Sequence, residues 1–206
     1  MKPVDLFTLP IYEFKISLDL ASKILSEISS QDNRENQTNT TIHPGGGSYY
    51  NIELFTILED FIHQVKELYY NNEVNLVISE CWGTKTAKFQ KHHIHTHSNS
   101  IISGIVYLTD HPGATTEFYV KNEWCWTEEL LKLGKSNKLM KTASVKPEIG
   151  KVILFPSNIL HSTKPNLSAK ERYTLSFNTF VSGKLGKPTT SLDITALSVF
   201  STQIKN

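Results

Sequence analysis

The feature that most limits the fold of this chain is a change of hydrophobic period near residue 73. Residues 19–30 and 52–70 repeat apolar side chains at helical spacing. From residue 74 onward, the apolar segments are short and rich in Val, Ile, Thr, Tyr and Phe, with Gly, Pro and Asn between them, as is typical of strands. Two helices followed by a run of strands predict a mainly β (α+β) protein, an antiparallel sandwich or jelly roll with its helices packed outside.

The apolar pattern also predicts where the elements begin and end. We expect strands at 74–82, 100–108, 115–120, 143–149, 151–156 and 172–181, after an extended start at 6–16. The apolar stripe of the second helix comprises Leu54, Leu58, Phe61, Val65 and Leu68. Residues 31–50 are polar and are expected to form a loop, while 122–140 interrupt the strands and are expected to be partly helical.

Length and composition favour one domain. We expect a single domain over 1–206, with helical support at 1–72, a core at 73–182 with an insertion at 121–142, and a tail at 183–206. A net charge of +1 gives no general electrostatic reason to bind nucleic acid or an anionic membrane. Cys81 and Cys125 form no CxxC, and no segment has membrane-spanning length, so we expect a cytoplasmic protein with no membrane partner. A dimer is left open.

Four of the eight histidines lie close together, at His92, His93, His95 and His97, just before an apolar run. Such a cluster can be merely a solvated polar segment. In an extended chain, however, side chains two apart share a face, so 93, 95 and 97 would point one way and 92 the other. His-x-His is the shortest spacing at which two imidazoles on one strand can bind one metal ion, and neutral imidazole suits Fe, Zn, Cu and Ni.

A third histidine ligand is available at His161. It follows a predicted strand, a proline and a short loop in PEIGKVILFPSNILH, and Arg172 follows it in the next strand. A lone histidine in that position is more often structural. No cysteine pair has a spacing that would complete a closed zinc finger with these histidines.

The combination resembles the Fe(II)- and 2-oxoglutarate-dependent oxygenases, in particular an uncharacterised group related to prolyl hydroxylases and found in marine bacteria and phages. The resemblance spans most of residues 5–186. Its motifs are LFTLPIY, a tryptophan followed by His-x-His, SIISGIVYL, PEIGKVILFPSNILH and ERYTLSFNTF. It implies a double-stranded β-helix (a jelly roll) that holds iron at its open end.

The resemblance also implies roles for individual residues. Counting back from Ser103-Gly104 matches the first two iron ligands to His95 and His97, with His161 as the third. The overlapping pair His93 and His95 is the alternative, in which case the chemistry is the same. The cofactor-binding residues that the resemblance implies for 2-oxoglutarate are Arg172, Tyr107, Ser176 and Asn178.

The sequence departs from the family at the second ligand, where most members carry Asp or Glu. Because histidine is neutral, this ligand set has one negative charge fewer than that of most family members. The 2-oxoglutarate dianion would offset the difference. Glu117 or Asp110 could supply a carboxylate instead, although neither occupies the family position. An imidazole would also fill the position that halogenating relatives leave open for halide, so hydroxylation is favoured.

The expected activity is hydroxylation of a C–H bond with release of succinate and CO2. The partners are then O2, 2-oxoglutarate and a small-molecule or peptide substrate. Trp124 and Trp126, in the insertion, could form a substrate lid. Two rivals stay open: a cupin-like three-histidine dioxygenase without 2-oxoglutarate, and a jelly-roll binding module that is not an enzyme.

Overall fold

The computed structural model describes residues 9–30, 34–35, 40–42, 48–70, 74–111, 113–120 and 141–194. Its elements, in chain order, are β1 (Tyr12–Lys15), α1 (Leu18–Ser29), β2 (Arg34–Glu35), β3 (Thr40–Ile42), α2 (Ile52–Tyr69), β4 (Asn75–Thr86), β5 (Ile102–Tyr107), β6 (Thr116–Val120), β7 (Lys141–Val145), β8 (Lys151–Pro156), β9 (Leu160–Thr163), β10 (Arg172–Ser182), β11 (Lys184–Leu185) and β12 (Leu192–Asp193). Neither helix is long and apolar enough to cross a membrane.

The strands form two facing sheets, and every pairing is antiparallel. The large sheet has the order β1-β8-β5-β10-β4-β3-β2, and the small sheet has the order β7-β6-β9. A separate hairpin joins β11 to β12. This arrangement is the double-stranded β-helix that the sequence predicted, so the fold class is confirmed.

Side chains alternate across the large sheet, and this alternation creates two cores. On β5, Val106 faces the helices, whereas Ile105 and Tyr107 face the space between the sheets. The helices cover the outer face with buried side chains such as Ile24 and Leu58. Capping begins both helices: Ser17 accepts from the Leu20 amide at 3.1 Å, and Asn51 accepts from the Leu54 amide at 3.0 Å.

Several expected boundaries were wrong. Residues 31–50 are not simply a loop, because β2 and β3 extend the large sheet from within this range. Strand β4 continues to Thr86, where it pairs with Arg172. Strand β9 was not foreseen, since its four residues are too short for a clear alternation. Leu68 is 62% exposed rather than part of the buried stripe of α2. Cys81 is a buried free thiol, while Cys125, Trp124 and Trp126 lie outside the described residues.

Candidate iron and 2-oxoglutarate site

A cavity lies between the two sheets, and histidines form one of its walls. His95 and His97 come from the segment between β4 and β5, and His161 comes from β9. One ligand atom from each of these side chains lies within 4.8 Å of the others. The Nε2 atoms of His97 and His161 are 3.2 Å apart. Two imidazoles at ~2.1 Å from one ion and at right angles to each other would have nitrogens about 3.0 Å apart, so the spacing suits a shared metal.

Main-chain hydrogen bonds hold the histidine segment against β9. The His95 amide donates to the His161 carbonyl and the His161 amide donates back, each at 3.0 Å. The His97 amide donates to the Ser157 carbonyl at 2.9 Å. The segment therefore runs beside β9 and is joined to it by an isolated antiparallel bridge between His95 and His161. These main-chain hydrogen bonds fix the backbone positions from which the three imidazole rings extend.

Two further hydrogen bonds orient the rings. Nδ1 of His95 lies 2.9 Å from the carbonyl oxygen of His93, and Nδ1 of His161 lies 3.0 Å from that of Ile159. A carbonyl only accepts, so each Nδ1 carries the hydrogen and each Nε2 keeps its lone pair. This is the arrangement in which a backbone carbonyl sets the tautomer of a metal-binding histidine.

Burial keeps these imidazoles neutral. It lowers the pKa of His97 to about 3 and that of His161 to about 4, and in each case the charge of a neighbouring histidine adds to the effect. Burial also lowers the pKa of His95. Only the unprotonated imidazole can ligate a metal, so the cluster is in its ligating form near neutral pH.

The predicted alternation of side chains in the histidine segment was wrong. His93 is exposed, whereas His92 lines the cavity with His95 and His97. The reason is that residues 91–94 do not form a regular strand, so the two-residue period does not apply to them. The contribution of His93 is its main-chain carbonyl, which accepts from His95.

Arg172 lies in the same cavity and is 3% exposed. Its Nη1 donates to the Ala114 carbonyl at 2.9 Å, while its Nε is buried without a partner in the described part of the chain. No carboxylate of the described residues lies within ion-pair distance of the guanidinium. Burial lowers the pKa of Arg172, which reflects the cost of this uncompensated charge. An anionic ligand would compensate it.

The other candidate cosubstrate residues differ in their positions. Ser176 lines the cavity. Tyr107 is fully buried, and its hydroxyl shares a hydrogen bond of 2.7 Å with Thr116, which does line the cavity. Burial raises the pKa of Tyr107 to about 12. Asn178 does not line the cavity, because its Oδ1 accepts from the Ser103 hydroxyl at 2.9 Å.

Neither acidic candidate reaches the histidines. Glu117 accepts hydrogen bonds from Thr115 and Ser144 and lies 3.6 Å from the Lys164 ammonium. Burial would raise the pKa of Glu117, but these partners lower it overall. On β6 it alternates with Thr116 and Phe118, which face between the sheets, so Glu117 faces outward. Asp110 accepts from the Ile149 amide instead.

Sequence reasoning missed several residues of the cavity wall. Hydroxyl groups dominate this set, which comprises Thr84, Thr116, Thr163 and Thr174. Trp82 also lines the cavity, and its ring centroid is 5.8 Å from that of His97. Alternation along β4 and β10 could have identified Thr84 and Thr174, since each lies two residues from another inward-facing side chain.

One known protein family matches the part of the chain that contains the site. The family described as "Putative 2OG-Fe(II) oxygenase" matches residues 80–178, which include the three histidines and Arg172. No curated protein sequence matches the chain significantly.

Solved structures share the fold at low sequence identity. A Pseudomonas putida prolyl-4-hydroxylase superposes with a TM-score of 0.60 at 14% identity, covering 85% of this chain and 95% of the hydroxylase. HygX from Streptomyces hygroscopicus, solved with nickel and 2-oxoglutarate, gives 0.58 at 12% identity over 84% of this chain and 83% of its own. The α-ketoglutarate-dependent epimerase SnoN from nogalamycin biosynthesis gives 0.61 at 11% identity over 90% and 88%.

The family match and the shared fold point to one enzyme class, the non-haem iron oxygenases. Within it, this chain is similar to the 2-oxoglutarate- and Fe(II)-dependent oxygenases over residues 80–178; the cofactor of that family is iron and its cosubstrate is 2-oxoglutarate.

Proposed function

We propose that His95, His97 and His161 bind Fe(II) through their Nε2 atoms. The observation that carries this assignment is the convergence of three neutral imidazoles beside a buried arginine that has no anionic partner among the described residues. Three protein ligands would leave coordination positions on the ion free for other ligands, as the two-histidine, one-carboxylate sites of non-haem iron oxygenases do. The donor set therefore suits iron and leaves room for a bidentate cosubstrate and dioxygen.

Arg172 binds the distal carboxylate of 2-oxoglutarate in this proposal. A guanidinium stays charged and can engage a carboxylate through two parallel hydrogen bonds. Thr116 supplies a hydroxyl to the same carboxylate, and the buried hydroxyl of Tyr107 fixes its orientation. Ser176 provides a further hydroxyl on the cavity wall. Asn178 acts more remotely, through its hydrogen bond with Ser103.

When bound, iron and 2-oxoglutarate would supply the oxidation: one atom of O2 enters succinate as the cosubstrate loses CO2, and the other hydroxylates a substrate C–H bond. The protein would hold the cosubstrate at its distal carboxylate, and burial keeps the imidazoles neutral, with Nε2 of His95 and of His161 unprotonated. The third imidazole would fill the coordination position that halide needs, which favours hydroxylation over halogenation. The substrate is a small molecule or a peptide. The cytoplasmic location and the phage or marine bacterial origin stay predictions from the sequence.

Anaerobic titration tests this function directly. Adding 2-oxoglutarate to the Fe(II)-loaded protein should produce a metal-to-ligand charge-transfer band, and the His161→Ala variant should give none. A succinate-release screen against amino acids and peptides would then identify the substrate class. Iron binding without a 2-oxoglutarate band would contradict the proposal and favour a cosubstrate-free three-histidine dioxygenase.

A further inference from the structure

His92 lines the cavity but is outside the cluster of three converging histidines. Its amide donates to the Thr163 hydroxyl at 2.8 Å, and its ring stacks on that of His95 with centroids 4.3 Å apart and planes inclined by 27°. The backbone and the ring are thus both held. A side chain fixed in this way needs no further ordering to meet a ligand.

His92 and Arg172 line the same cavity. Thr163, which accepts from the His92 amide, pairs across the small sheet with Thr116, and Thr116 is hydrogen-bonded to Tyr107. The charge of Arg172 is close enough to affect the protonation of His92. Arg172, Thr116 and Thr163 all line the cavity beside this ring.

One polar atom of the His92 side chain makes no hydrogen bond among the described residues. Its Nδ1 is buried and has no hydrogen-bond partner among the described residues, and the same holds for Nε of Arg172. A buried polar atom without a partner is unfavourable, so two such atoms on residues that line one cavity point to a ligand that binds both. A carboxylate accepts several hydrogen bonds and carries the charge that Arg172 lacks.

We propose that His92 is a binding residue for the distal carboxylate of 2-oxoglutarate, with its Nδ1–H donating to the carboxylate beside Arg172. This rests on the proposed function, because it assumes the same cosubstrate in the same cavity. It adds a contact from the histidine segment itself. One short segment would then hold the iron, through His95 and His97, and also the far end of the cosubstrate.

The test compares two 2-oxo acids on the anaerobic Fe(II)-loaded protein. 2-Oxoglutarate and 2-oxobutyrate chelate iron through the same 2-oxo acid group, but only 2-oxoglutarate has a distal carboxylate. His92→Ala should weaken 2-oxoglutarate roughly tenfold, in line with a hydrogen bond to a charged group. The same change should leave the affinities for 2-oxobutyrate and for Fe(II) unchanged, as measured by the charge-transfer band and by calorimetry.

Two further variants complete the design. His92→Asn keeps an amide donor near the position of Nδ1 and should restore part of the affinity for 2-oxoglutarate. His93→Ala is the matched control, because it removes an exposed neighbouring imidazole and retains the main-chain carbonyl that accepts from His95. It should bind both 2-oxo acids as the parent protein does.

The outcomes separate this inference from the proposed function. Unchanged 2-oxoglutarate affinity in His92→Ala overturns the role of His92 and leaves the function intact. Equal weakening of both 2-oxo acids, or loss of iron, also overturns it, since His92 would then act only by supporting His95. A parent protein that gives no band with 2-oxoglutarate refutes the proposed function itself.

Discussion

His95 and His161 exchange two main-chain hydrogen bonds, each 3.0 Å long, and their ring centroids lie 4.2 Å apart. Residues far apart in the chain are therefore joined at the backbone before any metal contributes. Such a pair is preorganised, so a metal ion has little ordering entropy to overcome there. His97 is anchored separately, because its amide donates to the Ser157 carbonyl.

We expect His97→Asp to retain Fe(II) binding. Aspartate would restore the commoner two-histidine, one-carboxylate set, and a carboxylate is a good ligand for a ferrous ion. Calorimetric titration of the metal-free variant under anaerobic conditions measures this affinity. His93→Asp is the control, because that side chain is exposed and should add no ligand. Complete loss of binding in a folded His97→Asp variant would show that the cavity requires an imidazole at this position.

Arg172→Lys should weaken 2-oxoglutarate much more than it weakens iron. Lysine retains the charge but loses the planar fork, and the expected loss is about tenfold, or about 1.4 kcal/mol. Titration of the Fe(II)-loaded variant, followed by its charge-transfer band, gives the value.

Lys85→Met is the control for Arg172→Lys. Lys85 pairs with Tyr173, next to Arg172, and forms an ion pair of 3.3 Å with Glu171, so its removal changes the local charge without changing the cavity wall. An effect of Lys85→Met as large as that of Arg172→Lys would mean that charge alone attracts the cosubstrate. No effect of Arg172→Lys would refute the assigned role of Arg172.

The metal-free protein should lose stability as the pH falls from about 6.5 towards 4. In the folded state, burial lowers the pKa values of His92 and His97 to about 3 and that of His161 to about 4. In the unfolded chain these groups titrate near ~6.5. The unfolded state therefore binds more protons in this window, and the free energy of unfolding decreases with acidification.

Urea unfolding at several pH values measures that dependence. His161→Asn should flatten it, because one buried titrating group is removed. His63→Gln is the control, since the side chain of His63 is 63% exposed on α2 and should leave the slope unchanged. A metal-free protein whose stability is constant across this window would contradict the prediction.

Gly104→Ala should destabilise the fold. A Cβ atom at this position would lie 2.1 Å from Cζ of Phe177, whose fully buried ring packs over the glycine. Overpacking of this kind costs about 1–3 kcal/mol. The free energy of unfolding in urea is the measurement, and Gly113→Ala is the control, because a Cβ there would meet nothing within 4 Å.

A double-mutant cycle tests the cause of that loss. If the clash with Phe177 is responsible, Phe177→Leu should make Gly104→Ala less costly than it is in the parent protein. Strictly additive effects would show that the loss comes from the backbone of β5 instead.

The sequence by itself determined the class of fold and the main candidate residues. The change from helical to alternating period predicted two helices outside a jelly roll. The resemblance to the oxygenase family, through the Ser103-Gly104 step and the motif around His161, indicated the three histidines that the structure brings together. These signals can be read from the sequence alone, because the hydrophobic period and the local motifs depend only on residues that are close together along the chain.

Tertiary structure decided what depends on contacts between distant segments. Strand β9 is too short to have a readable period, and it exists because β6 and the histidine segment pair with it on either side. Irregular backbone turned His92 inward and His93 outward, against the alternation that a regular strand would give. The outward direction of Glu117 and the missing anionic partner of Arg172 among the described residues follow from the register and the packing of the two sheets. A single sequence records neither of these.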